Sequence, residues 1–144
     1  ARPVEMKYIA ELVAKRKQYK DYMQYGKMMR IPKLANNYAT EIEIAQMSTY
    51  SYKNEGTNLF PHKKVVPLLY SSAWRNKEGN ILLAFTNISE EAKDMAFTIN
   101  PTEMGLDESF TLYIDGVAQA GAPQSKYEVV INGCSTKIFE FKKE

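Results

Sequence analysis

The sequence predicts a mainly β protein: an antiparallel β-sandwich of about seven to eight strands preceded by one long N-terminal α-helix. Three observations carry that expectation. Apolar residues recur at helical spacing up to Gly26 and at period two after Pro32. The later apolar runs are short and divided by turn residues, and no helical pattern separates them as a βαβ arrangement requires.

The helix pattern runs from Pro3 to Tyr25. Pro3 suits a first turn, Glu5 sits at the positive end of the helix dipole, and Gly26 offers a left-handed stop. Ile9, Leu12, Val13, Tyr19 and Met23 form an apolar stripe that needs a partner surface. Tyr8, Tyr19, Tyr22 and Tyr25 add rings suited to boundaries that are half apolar and half wet.

Strand candidates follow at Tyr38 to Met47, Val65 to Trp74, Ile81 to Ile88, Lys93 to Asn100, Phe110 to Ile114, Tyr127 to Ile131 and Lys137 to Lys142. The turn from Asn76 to Asn80 joins the second and third of these in the most secure hairpin, and the apolar run from Ile81 reads as a central strand. Asp115-Gly116 signals a tight turn, and Pro101 to Leu106 holds one helical turn. Asn54 to Lys64 is the longest stretch without period and reads as a mobile loop. There is no internal repeat and no low-complexity segment.

A chain of 144 residues, 44% of them hydrophobic, buries a real core without staples. No apolar run approaches the roughly 18 to 20 residues of a bilayer span, and the first residues lack a signal-peptide pattern, so no membrane partner is expected. The lone Cys134, between Gly133 and Ser135, reads as a half-buried structural thiol in a turn.

The net charge of +2 hides an asymmetry, because residues 1–33 hold nine Lys/Arg against three acids. Lys15, Arg16, Lys17 and Lys20 wrap around several sides of one helix, which is a solvated face rather than the open, ring-interleaved surface of a nucleic-acid site. No nucleic-acid partner is therefore expected, and a basic helix binding nucleic acid stays as a further alternative.

The chemistry-bearing residues do not converge. His62 is the only histidine, which leaves no zinc set and no spare base, so neither a metal nor a cofactor is expected. Glu41 and Glu43 share a strand face, the arrangement a glycosidic acid/base pair would need, but also that of the wet side of an edge strand. Glu90, Glu91 and Asp94 read as a hairpin tip. Phosphate-cradling glycine motifs and the hydrolase elbow are absent from the sequence, and no catalytic residue is assigned. Trp74 follows Tyr70 on one strand face, so the pair is either core or an aromatic carbohydrate-contacting platform, and core is the preferred reading. Asn87-Ile88-Ser89 matches a glycosylation sequon.

The segment Tyr70-Ser71-Ser72-Ala73-Trp74-Arg75-Asn76-Lys77-Glu78-Gly79-Asn80, continuing as Ile81-Leu82-Leu83-Ala84-Phe85-Thr86-Asn87, resembles a hairpin of C-terminal β-sandwich domains in bacterial TIM-barrel glycoside hydrolases and related glycosidase-like proteins. Leu12 to Lys17 and Tyr22 to Met28 resemble the closing barrel helix and exit segment that introduce such a domain. The resemblance implies that residues 1–33 are the remnant of an upstream catalytic barrel and residues 34–144 an accessory β-sandwich. It also implies a non-catalytic piece of an exported bacterial carbohydrate-active enzyme. Its partner would be the barrel of its own polypeptide, met through Ile9, Leu12, Val13, Tyr19 and Met23, and the family's catalytic carboxylates, which lie on barrel strands, have no counterpart here. The alternative is an independent carbohydrate-binding module using Trp74 and Tyr70. A surplus apolar stripe also makes self-association through the helix an expectation.

Overall fold

A computed structural model describes residues 3–47 and 59–143. The protein is mainly β, with antiparallel sheets and an N-terminal helical segment. By contacts the chain separates into two compact units, residues 1–36 with 69–144, and residues 37–68.

In the larger unit the helical pattern is realised as α1 (Pro3–Gln18) and α2 (Lys20–Met23). The break falls at Tyr19, whose φ of −108° and ψ of 30° leave the helical region. Gly26 does not stop the helix by a left-handed turn, since its φ is not among the positive values. It is needed for another reason: a Cβ there would lie 2.4 Å from the Tyr22 carbonyl oxygen and 2.5 Å from that of Arg75. Only glycine lets the exit from α2 press against the sheet edge.

Two antiparallel sheets form the sandwich. The larger holds β1 (Lys27–Met28), β5 (Leu69–Arg75), β6 (Ile81–Asn87), β8 (Phe110–Ile114), β9 (Val117–Ala118) and β11 (Ser135–Lys143), in the spatial order β1-β5-β6-β11-β8-β9. The smaller holds β2 (Lys33–Leu34), β7 (Lys93–Thr98) and β10 (Lys126–Ile131), with β7 in the middle. Side-chain alternation divides β6 and β11 between two packing layers. Phe85 and Phe139 face the smaller sheet, where Phe97 meets their rings at 4.5 and 5.0 Å and Tyr127 lies 5.7 Å from Phe139. Leu82, Ala84 and Ile138 point the other way and pack with Tyr19 and Tyr22. A strand covered on both faces has no wet side, which is why β6 reads as a continuous apolar run.

The predicted hairpin is present: β5 pairs with β6 from Leu69↔Asn87 to Arg75↔Ile81. Its turn is closed by Asn76 N–H to Asn80 O and by Asn80 N–H to Asn76 Oδ1, at 3.0 and 2.9 Å. Asp115 and Gly116, with φ of 49° and 83°, form the two-residue turn between β8 and β9 that two consecutive positive φ values define. Pro101 to Leu106 curls as expected, Met104 N–H donating to Asn100 O at 3.1 Å.

The smaller unit contains β3 (Ala39–Met47) and β4 (Leu59–Pro67), an antiparallel pair in register from Ala39↔Pro67 to Met47↔Leu59. Two expectations fail here. Leu59 to Lys64, read as loop, belongs to β4, while residues 54–58 of that loop lie outside the described residues. The single strand expected from Val65 to Trp74 is two strands, since the chain bends at Leu68 and β4 and β5 join different sheets. In a two-stranded pair both strands are edges, so Pro61 is tolerated and no apolar face need show in the sequence. With that split and the two-residue strands β1, β2 and β9, the described residues contain eleven strands rather than seven or eight. Pairings two residues long carry no period to read.

Candidate functional site

The residues that the sequence singles out lie far apart in role. Glu41 and Glu43 do share a face of β3, and both are exposed to solvent; Glu41 pairs with Lys63 at 3.6 Å. His62 stands on β4 opposite Ile44, on a strand and not in a loop. Cys134 is a partly buried free thiol whose φ of 47° and N–H bond to Ser89 O, at 2.7 Å, fix it in a turn. Glu90 and Glu91 lie between β6 and β7, which belong to different sheets, so the segment is a crossover and not a hairpin tip; Asp94 is on β7. Among the described residues, no three His, Cys, Asp or Glu side chains gather as a metal site would require.

Asn87 is where the sequence reading missed most. Its side chain is wholly buried, so it is no glycan acceptor. Its Nδ2 donates to the carbonyls of Glu91, Ile131 and Asn132 at 2.8, 3.1 and 3.2 Å, and its Oδ1 accepts from the N–H and hydroxyl of Ser89 at 2.9 and 2.7 Å. The three-residue pattern that suggested a sequon is a local knot holding the β6–β7 crossover to the end of β10. The available signal was an Asn closing a strand whose first five residues are all apolar.

Trp74 and Tyr70 share the β5 face that meets the helices. Trp74 is partly buried against the Tyr19, Tyr22, Leu82, Ala84 and Ile138 cluster, and its Nε1 donates to Ser72 Oγ at 3.0 Å. Tyr70 stays 43% exposed beside a cavity of about 250 Å³ lined also by Leu12, Lys15, Arg16 and Met23. Trp74→Ala is expected to lower stability by about 3 kcal/mol in urea unfolding, because it leaves a void against the tyrosine cluster. A platform residue would instead leave the midpoint in place.

The apolar helix stripe divides at the Tyr19 break. Tyr19 is buried and Met23 half-buried, while Ile9, Leu12 and Val13 are exposed, together with Val4 and Met6. α1 contributes no buried residue; one tether to the sheet is Tyr8 Oη with Thr86 Oγ1 at 3.1 Å. In α2 the Tyr22 hydroxyl donates to Glu140 Oε2 at 2.7 Å, and burial, with that carboxylate beside it, pushes the Tyr22 phenol far above the usual tyrosine range. Burial also raises Tyr19, with the charges of Glu140 and Asp115 adding to it.

Beside this cluster runs a groove of about 470 Å³ lined by Gln18, Asn76, Asn80, Tyr113, Glu140 and Lys142, among others. Sequence reading did not find it. Its residues come from the helical segment, the β5–β6 turn, β8 and β11, and the pairings of β11 with β6 and with β8, Tyr113 opposite Glu140, bring the sheet residues together.

No protein-family model and no curated protein matches the chain. Among solved structures, the chain is similar to a thermostable GH51 α-L-arabinofuranosidase from Thermotoga petrophila RKU-1, with 14% identity over 73% of this chain and 24% of that one, and a TM-score of 0.45. It is similar to another arabinofuranosidase, with 15% identity over 74% of this chain and 24% of that one, and a TM-score of 0.43. A GH30 endoxylanase from Clostridium papyrosolvens C71 aligns with 13% identity over 58% of this chain and 23% of that one, and a TM-score of 0.37. The neighbours are thus glycoside hydrolases matched at low identity, and the chain spans about a quarter of the length of each. Likeness this slight leaves function to be argued from the residues themselves.

Proposed function

We propose that this chain is a non-catalytic accessory β-domain of a larger carbohydrate-active enzyme, packing on and stabilising a catalytic barrel carried by the same polypeptide. The observation that carries the reading is the split helix. α2 is built into the β-domain through Tyr19 and Tyr22, whereas α1 has no buried residue and leaves Val4, Met6, Ile9 and Val13 exposed, with Leu12 at the rim of the cavity beside Tyr70. Exposed apolar side chains gathered on one helix belong against another apolar surface. The resemblance of residues 12–17 with 22–28, and of residues 70–87, to the closing barrel helix with its exit segment and to a hairpin of glycoside hydrolase C-terminal domains supports a barrel as that surface. The solvent exposure of Glu41 and Glu43 supports the non-catalytic part of the reading.

Two measurements test it. The chain alone is expected to turn over none of a panel of aryl glycosides, and turnover abolished by Glu41→Gln or Glu43→Gln would overturn the accessory role. The reading frame upstream of Ala1 is expected to encode a (β/α)₈ pattern with paired acids on its strands; a frame without one sinks the parent assignment. A second reading, an independent carbohydrate-binding module, is favoured by one observation, the exposure of Tyr70.

A further inference from the structure

We propose that the groove beside α2 is a binding site for a neutral oligosaccharide, separate from the Trp74 and Tyr70 pair. Sugars offer vicinal hydroxyls, which planar amides and carboxylates pair with, and weakly polar ring faces, which rest on aromatic rings. The groove supplies both, in a volume of about 470 Å³ that falls in the range of small-ligand sites and takes a disaccharide unit.

Its polar groups are held in place before any ligand arrives. Asn76 Oδ1 accepts the Asn80 N–H at 2.9 Å, and Asn80 Oδ1 accepts the Lys143 N–H at 3.0 Å. Each amide therefore has its oxygen committed to backbone and its NH₂ group left to donate to a ligand oxygen. Glu140 is fixed likewise, Oε2 accepting from Tyr22 at 2.7 Å while its other oxygen remains to accept from a hydroxyl. Lys142 Nζ lies over one face of the Tyr113 ring at the groove wall, 5.6 Å from its centre. Groups fixed in advance lose little freedom on binding. The sign of the charge selects the class of sugar: Asp21 and Glu140 outweigh Lys142 along the lining, so a uronate would meet net repulsion and a neutral sugar would not.

The inference does not depend on the accessory role, since the groove belongs wholly to this chain; failure of either leaves the other standing. The test is a ¹⁵N–¹H titration of the chain with xylotriose, cellotriose and maltotriose, and with trigalacturonate as the anionic comparison. Saturable shifts with at least one neutral trisaccharide are expected, confined to the backbone around Gln18, Asn76 to Asn80, Tyr113 and Glu140 to Lys142. Tyr113→Ala should weaken that binding about tenfold by removing the ring, and Tyr113→Phe should retain it. The proposal is overturned if none of the three neutral sugars gives a saturable shift, if the shifts centre on Tyr70, if trigalacturonate binds at least as tightly, or if Tyr113→Ala in a folded protein binds as the wild type does.

Discussion

Asn87→Asp is expected to destabilise the protein by roughly 3–5 kcal/mol at neutral pH, the cost of breaking a buried polar network and leaving a charge inside it. The change is nearly isosteric, so packing is not what suffers. Asn87 is wholly buried, and its NH₂ group shares two protons among the carbonyls of Glu91, Ile131 and Asn132. An aspartate turns a second oxygen toward three oxygens. Ionisation is then opposed by burial and by the carbonyl dipoles, so the folded-state pKa of the new carboxyl rises above its unfolded value near 4. A group whose pKa is raised by folding keeps its stability below the unfolded pKa and loses it as pH rises toward the folded one. The variant should therefore lie closest to the wild type at about pH 4 and fall away by up to about 1.4 kcal/mol per pH unit above that. Urea midpoints of both proteins at several pH values measure the difference. A gap that does not widen with pH would show that the crossover tolerates the charge by opening to water.

How much of this was legible in the sequence depends on how many residues each feature needs. The β5–β6 pairing and its turn were legible, because Asn76, Gly79 and Asn80 are turn residues between two apolar strands, although the start of β5 was not. The run from Ile81 showed its central place because a strand buried on both faces cannot hide a polar side. β4 was illegible for the converse reason: an edge in a two-stranded pair asks nothing apolar of Pro61, His62, Lys63 or Lys64. The groove was illegible in principle, since Gln18, Asn80, Tyr113 and Glu140 become neighbours only through strand pairing. The helix was read as one element with one stripe, and the structure breaks it at Tyr19. Tyr19 and Met23 continue the three-and-four spacing of Ile9, Leu12 and Val13, and nothing in that spacing tells which residues the β-domain keeps for itself.

That division gives the second large effect. Removing residues 1–17 is expected to leave the near-UV dichroism and the unfolding midpoint little changed, because α1 has no fully buried residue and the part-buried Tyr8–Thr86 hydroxyl contact is one bond among many. Any self-association through Ile9, Leu12 and Val13 should vanish with it, which sedimentation at several concentrations reads directly. Removing residues 1–33 is expected to unfold the domain. It takes away Tyr19 and Tyr22, uncovers Leu82 and Ile138, which are fully buried, strips Trp74 of its packing partners, and deletes β1 and the first residue of β2 from the two sheet edges they occupy. At about 1.5–3 kcal/mol for each large side chain returned to water, the loss matches the whole stability of a typical domain. The outcome places the boundary of the accessory unit. If residues 34–144 hold their near-UV signal, the whole helical segment belongs to a parent barrel and the division after residue 33 stands. If they unfold while 18–144 stays folded, the boundary lies at the Tyr19 break, and only α1 faces the partner.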